Sequence, residues 1–284
     1  MSSAADPARR ALLRRAFRNA CRAELEALKP GNVHVHAAGH DMTVEDFLRS
    51  ADAAATPLSD PTLGIGARIR AAVEASWEAA GCNTNLGIVL LAAPLIAAAE
   101  RGEGPLRPRL EATLAALTVE DAREAYEAIR RANPGGLGRA AREDVAAAPT
   151  VTLLEAMRLA TDRDRIAQQY ATGYEDVFTI GLARVEAERR RGTAGEWTTT
   201  LVFLDFLTAF PDSHIARKFG HETAEAVRQE ADAVRRGLSE APRDAFPRLL
   251  AFDAALKSRG LNPGTSADLT VASLLAADAA AISR

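Results

Sequence analysis

The chain has 284 residues, 48% of them hydrophobic and 26% charged, with a formal net charge of −3. That composition suits one large soluble domain or two small ones, and the near-neutral balance removes the electrostatic reason to expect a nucleic-acid partner, which demands a basic face. Two cysteines, Cys21 and Cys82, are too few for a disulfide framework or a cysteine zinc cluster.

The opening, MSSAADPARRALLRRAF, is arginine-rich and turns directly into an amphipathic helix, unlike a signal peptide. No apolar run reaches the roughly 18 residues expected of a spanning helix, so a cytoplasmic protein without a membrane partner is expected. Alanine and arginine are both strong helix formers. Apolar residues recur every three and four positions, and no alternating run is bounded by turn residues. The pattern predicts helices at about 7–28, 43–55, 64–80, 86–101, 107–116, 119–132, 150–170, 174–191, 196–209, 213–237, 243–259 and 266–282. Their breaks are marked by Lys29-Pro30-Gly31, Pro57 to Pro61, Gly102 to Pro105, Asn133-Pro134-Gly135-Gly136, Pro211 and Asn262-Pro263-Gly264. No long linker, composition shift or repeat interrupts them. The expectation is an all-α fold: a single compact multi-helix domain of roughly twelve helices over residues 1–284.

Three of the five histidines fall in the first loop, LKPGNVHVHAAGHDM, at residues 28–42. Lys29 puts a cation at a rigid turn, Gly31 bares backbone N–H groups, and Asn32 adds an amide, a set that suits a polyanion. His34 and His36 share a face of an extended stretch, but a closed zinc site needs four ligands, and the remaining donors, His40 and Asp41, crowd the same loop. Histidines hydrogen-bonded within the loop, or touching substrate, stand beside that reading.

Thr43-Val-Glu-Asp46, Thr118-Val-Glu-Asp121 and Thr265-Ser-Ala-Asp268 each place a threonine three positions before an acid, the spacing of a capping box. For Asp121 capping is the expected role, whereas Asp46 and Asp268 are also candidates for chemistry. In Ala80-Gly-Cys-Asn-Thr-Asn-Leu-Gly87, Asn83 or Thr84 suffices as a cap. Asn83, Thr84 and Asn85 together exceed one, and the start of an apolar helix is a good place to meet phosphate. The glycine-rich turn Asn133–Gly138 lacks the preceding strand of a dinucleotide fingerprint or P-loop. Of Asp162 and Asp164, on different helix faces, at least one is expected to pair with a nearby arginine. Asp212 starts a helix that projects Arg217 and Lys218, and Leu261-Asn-Pro-Gly-Thr-Ser-Ala-Asp-Leu269, with Ser266 at its centre, repeats the design of the first loop. If these turns converge, their cations, carboxylates and amides form the inventory of a nucleotide–magnesium site, since magnesium takes a carboxylate or two with phosphate oxygens and water.

KPGxV, then HDM and EDF, then the NT- and SADL-containing turns, in this order, resemble the triphosphoribosyl-dephospho-CoA synthase family from about residue 20 to the C-terminus. The matching positions are Lys29-Pro30-Gly31, His40-Asp41-Met42, Glu45-Asp46-Phe47, Gly81, Asn83, Thr84, Gly87, Asp212, Pro263-Gly264 and Ser266-Ala267-Asp268. The resemblance implies an all-helical transferase that uses magnesium-ATP, moves its triphosphoribosyl unit to a ribose hydroxyl of dephospho-CoA and releases adenine. Two departures stand out. The family continues Asn-Thr with His-Lys-Gly where this chain has Asn85-Leu86-Gly87, and has Gly-Asp-Thr-Asn where this chain has Pro211-Asp212-Ser213-His214. The chain looks like a divergent branch, as in archaea and methylotrophic bacteria, with another acceptor from one-carbon cofactor synthesis of the methanopterin or methanofuran type.

Breaking a ribose–adenine bond develops an oxocarbenium-like charge that a carboxylate stabilises, and a second carboxylate or a histidine takes the acceptor's proton. On this reading the catalytic candidates are Asp41, Asp268 and His40. Nucleotide-binding candidates are Lys29, Gly31, Asn32, Asn83, Thr84, Asn85, Arg217, Lys218 and Ser266, and magnesium candidates are Asp41, Asp46, Asp212 and Asp268. The partners expected are ATP and a cofactor precursor, with a homodimer as the protein partner to consider. A phosphotransferase or ligase on the same scaffold, or a non-catalytic nucleotide-binding helical protein, are the competing readings, and adenine release separates them.

Overall fold

The computed structural model describes residues 6–37, 42–136, 138, 142–193, 195–238 and 242–282, with the backbone alone at 242 and 243. Among them the alanine- and arginine-rich periodicity becomes fourteen α-helices. These are α1 (Pro7–Glu26), α2 (Val44–Leu58), α3 (Ile65–Ala80), α4 (Leu86–Glu100), α5 (Leu106–Ala115), α6 (Val119–Ala132) and α7 (Leu153–Arg158). They are followed by α8 (Arg165–Thr172), α9 (Ala183–Arg190), α10 (Glu196–Ala209), α11 (Ser213–Phe219), α12 (His221–Arg236), α13 (Pro242–Ser258) and α14 (Gly264–Ile282). A π-helical turn, Val177–Leu182, leads into α9. The fold is all-α, and the described residues contain no strand beyond a single bridge between His34 and Ala37.

Two predicted helices are split, for local reasons. The stretch near 150–170 breaks where the Asp164 carboxylate accepts the N–H groups of Ile166 and Ala167 and so restarts the chain as α8. The stretch near 213–237 breaks at Gly220, whose φ of 91° is open to glycine and strained for other residues.

The core has two clusters. One joins α1 to α8, the π turn and most of α14; the other gathers α10 to α13 around Phe203, Leu249 and Leu256. At the centre of the first lies α4, buried on every side from Ile88 to Ala99, so it has no polar face to lose. Pro94 removes the N–H that would bond the carbonyl of Leu90. Tyr170, 1% exposed, donates its hydroxyl to that carbonyl at 2.6 Å, and Tyr174 donates to the carbonyl of Leu91 at 3.1 Å. The two tyrosines of α8 and its C-terminal turn thus repair the proline defect and fix α4 to its neighbour.

By length and composition α14 is apolar enough to cross a membrane, contrary to the expectation that no such run exists. Its residues are instead mostly buried against α1, α4, α10 and the π turn. Asp121 also exceeds its expected role: besides closing its capping box, it accepts the N–H of Gly66 at 2.8 Å and fastens α6 to the start of α3.

Tyr170→Phe should leave the Leu90 carbonyl unpaired and cost about 1–3 kcal/mol. Thermal unfolding should show a melting point a few degrees lower, with the far-ultraviolet helical signal of the native state retained; an unchanged melting point would refute the repair.

Candidate functional site

Three loop junctions meet above the N-termini of α4, α8, α11 and α14. The first is organised by Asp212, 1% exposed. Its Oδ1 accepts the N–H groups of His214 and Ile215 at 2.9 and 3.2 Å, capping α11. Its Oδ2 accepts both the N–H and the hydroxyl of Ser266 at 2.8 Å, close to the start of α14. One carboxylate therefore clamps two helix N-termini. Thr265 joins the clamp, its Oγ1 lying 2.9 Å from Ser213 Oγ and accepting the His214 N–H at 3.1 Å.

The second junction is the Lys29-Pro-Gly loop. Lys29 is fully buried and its three N–H donors all have partners: the Glu24 carboxylate of α1, Asn32 Oδ1 at 2.7 Å and the Val33 carbonyl at 2.6 Å. Asn32 then donates to Asn262 Oδ1 at 2.7 Å, tying this loop to the one before α14. Behind it, Asp253 of α13 accepts the Gly31 N–H at 2.8 Å and contacts His34 at 3.2 Å and Lys257 at 3.0 Å. His34 Nδ1 accepts the His36 N–H, which leaves Nε2 to carry the proton toward Asp253. Burial lowers the His34 pKa, which favours this neutral ring. His34 is a loop fastener.

The third junction is Asn83-Thr84-Asn85. Asn83 Oδ1 accepts the N–H of Leu86 at 3.2 Å. Thr84 donates to Ser50 Oγ at 2.7 Å, and the buried Asn85 donates to Ser76 Oγ at 3.0 Å.

Between these junctions lies a cavity of about 510 Å³, within the size range of small-molecule sites. Its polar lining includes Glu24, Asn32, Asn83, Thr84, Asp164, Arg217, Lys218 and Asp268. Its apolar lining includes Leu86, Leu90, Tyr126, Ile129, Leu153, Met157 and Ile166. Asp268 does not cap α14: its carboxylate makes no hydrogen bond or ion pair with a described residue. Gly87 allows this placement, since a Cβ there would lie 2.1 Å from Asp268 Oδ2. Burial, with the carboxylates of Glu24, Asp212 and Asp164 adding to it, pushes the Asp268 carboxyl well above the usual range, while Arg217 opposes. Arg217 is steered by Asp164 Oδ2 at 3.5 Å and by the Gly135 carbonyl at 3.0 Å, and Lys218 has no ion-pair partner among the described residues.

The sequence candidates thus divide. Asn32, Asn83, Thr84, Arg217, Lys218 and Asp268 line the cavity. Lys29, Gly31, Asn85 and Ser266 lie outside its lining, all with internal partners: Lys29 holds Glu24, Gly31 is held by Asp253, and Asn85 and Ser266 knit helices together. Asp46 closes the capping box of α2 and pairs with Arg49, and Asp212 is consumed by its clamp, so neither carboxylate reaches the cavity. His40 and Asp41 lie outside the described residues. Two contributors escaped the sequence reading. Glu24 occupies an apolar-stripe position between Cys21, Leu25 and Leu28, a charged residue where the helix period demands a hydrophobe. The turn containing Asn133, Pro134 and Gly135 also lines the cavity, packed on Lys218.

With this geometry in place, residues 10–283 match the family described as ATP:dephospho-CoA triphosphoribosyl transferase. The chain belongs to this family. A triphosphoribosyl transferase of this family is an enzyme of cofactor biosynthesis acting on small molecules, and that class holds here. Among solved structures, a protein from Archaeoglobus fulgidus named as a candidate triphosphoribosyl-dephospho-CoA synthase superposes with a TM-score of 0.65. It is 24% identical, and the match covers 82% of this chain and 98% of that one; it shows the shared helical fold. Comparison with curated proteins finds no match.

Folding raises the proton affinity of Asp268, so this group's contribution is greatest at low pH and is lost as pH rises toward its elevated value. Asp268→Asn should therefore gain stability over the parent, by about 1 kcal/mol near neutrality and by little near pH 3, where the carboxyl is protonated in both states. Melting curves across that range check the sign.

Proposed function

We propose that the cavity binds magnesium-ATP through its polar side chains and transfers the triphosphoribosyl unit to a hydroxyl acceptor other than dephospho-CoA. The observation that carries this reading is Leu86, which forms part of the apolar wall where the family pattern places a lysine. A full charge is lost there, and a cavity without it favours a different, less anionic acceptor. The adjoining apolar surface of Leu90, Tyr126 and Met157 suits the ring or alkyl part of such a molecule. A precursor in one-carbon cofactor synthesis, of the methanopterin or methanofuran type, has this chemistry and fits the divergent-branch resemblance.

Arg217 and Lys218 supply the phosphate-binding charge that Lys29 does not present to the cavity, and Asn83 and Thr84 position the sugar. Among the described residues no three metal-binding side chains come together, so an all-protein cage is absent. The unpaired carboxylate of Asp268 nevertheless fits a magnesium ion shared with phosphate oxygens and water. When bound, magnesium neutralises triphosphate charge. The protein's own part is to hold the triphosphate and to aim ribose C1′ at the acceptor, a gain in orientation more than in bond chemistry.

Purified protein should be incubated with magnesium-ATP and dephospho-CoA and assayed for free adenine and coupled product. The parent should turn over slowly, and Leu86→Lys should raise the rate on the order of 10²-fold, the scale of one restored charge contact. Efficient turnover by the parent would overturn the change of acceptor. Arg217→Ala and Lys218→Ala should each weaken magnesium-ATP binding about tenfold in calorimetry.

A further inference from the structure

The cavity holds four carboxylate side chains among its described residues: Glu24, Glu143, Asp164 and Asp268. Glu143 is engaged by the Thr150 N–H and hydroxyl, and Asp164 by the cap of α8 and by Arg217. Asp268 makes no hydrogen bond or ion pair with a described cationic side chain, Arg217 acting on it only through space. Glu24 differs from all three. One of its oxygens is gripped by the Lys29 ammonium, a cation with no donor left for a ligand. Its other oxygen makes no hydrogen bond with a described residue. The side chain is otherwise buried at the cavity wall, fixed by a lysine that is itself locked by Asn32 and Val33.

We propose that Glu24 is the catalytic base that takes the proton of the acceptor hydroxyl, with Lys29 as its positioning residue. This rests on the triphosphoribosyl-transfer reading above. The hydroxyl oxygen bonds to ribose C1′ as the C1′–N9 bond breaks, and that bond's electron pair leaves with adenine. The hydroxyl proton passes to Glu24, and adenine takes a proton from solvent, so the charges balance. Burial raises the Glu24 carboxyl above its usual range while Lys29 opposes, a direction that makes the carboxylate a better proton acceptor than an exposed one.

Because the natural acceptor is unidentified, the probe is adenine release from magnesium-ATP by the full chain, in water and with molar ethylene glycol as a surrogate hydroxyl. Glu24→Gln should cut adenine release about a hundredfold or more while magnesium-ATP affinity stays within about threefold. Formate added to Glu24→Ala should restore part of the rate without raising the variant's melting point, whereas a structural role, in which formate only re-pairs Lys29, would raise both together. Glu24→Asp keeps the ion pair with Lys29 and controls for folding. It should stay folded and run slower than the parent, because its carboxylate is drawn back from the cavity. A parent that releases adenine, with Glu24→Gln within about threefold of it or no formate rescue, overturns the base role alone. A parent that binds magnesium-ATP yet releases no adenine overturns the transfer reading and this role together.

Discussion

The site depends on one buried carboxylate that holds two helix ends. Asp212 accepts four donors from α11 and α14, and all of them are backbone N–H or hydroxyl groups. Burial raises the cost of its charge, and the hydrogen bonds offset part of that cost. The geometric result is larger than the energetic one. With its N-terminus pinned beside α14, α11 delivers Arg217 and Lys218 to the same cavity that receives Asp268 from one turn into α14. Cation and carboxylate face one space because a third group, outside that space, fixes the angle between their helices.

The same logic separates the lysines. A lysine beside a proline-glycine turn looks like a phosphate ligand, and in an exposed loop it would serve as one. Here the turn folds under the loop before α14, and Lys29 becomes an internal cation with every donor occupied. Breaking such a pair by removing one member leaves an uncompensated buried charge, a loss on the order of 3–5 kcal/mol. The cations that line the cavity are instead Arg217 and Lys218 of α11, about one and a half turns beyond the Asp212 cap, and Arg163 just before α8.

Much of the architecture was legible because it rests on local rules. The first helix is predicted at about 7–28 and found at Pro7–Glu26, and both complete Thr-Val-Glu-Asp capping boxes form as read. The splits at Asp164 and Gly220 were hidden because the apolar period runs across both, while a single side-chain cap or one positive φ decides the break. In the site, Asn83, Thr84, Arg217, Lys218 and Asp268 were readable from polar turns that open helices. Glu24 was not, since its meaning lies in Lys29 five positions on, and spacing alone does not say whether such a pair is buried or solvated. For Asp268 the sequence offered a capping box with a threonine at the right distance. The clamp from Asp212 takes over the start of α14, and that contact spans 54 residues, beyond any local pattern.

An unpaired carboxylate in a partly buried cavity is a standing cost, and the surrounding helices explain how it persists. The backbone of α4 at Gly87 meets Asp268 where no other side chain fits. That contact is held firm because α4 is buried throughout its central turns and because Tyr170 and Tyr174 satisfy the carbonyls around Pro94. Moving α4 away from Asp268 would have to break both tyrosine contacts, and so give up two buried hydrogen bonds worth about 1 kcal/mol each along with the packing around them. The scaffold is thus well packed beside Asp268. That packing leaves Asp268 to be satisfied by whatever enters the cavity, so binding affinity and local strain relief are the same interaction.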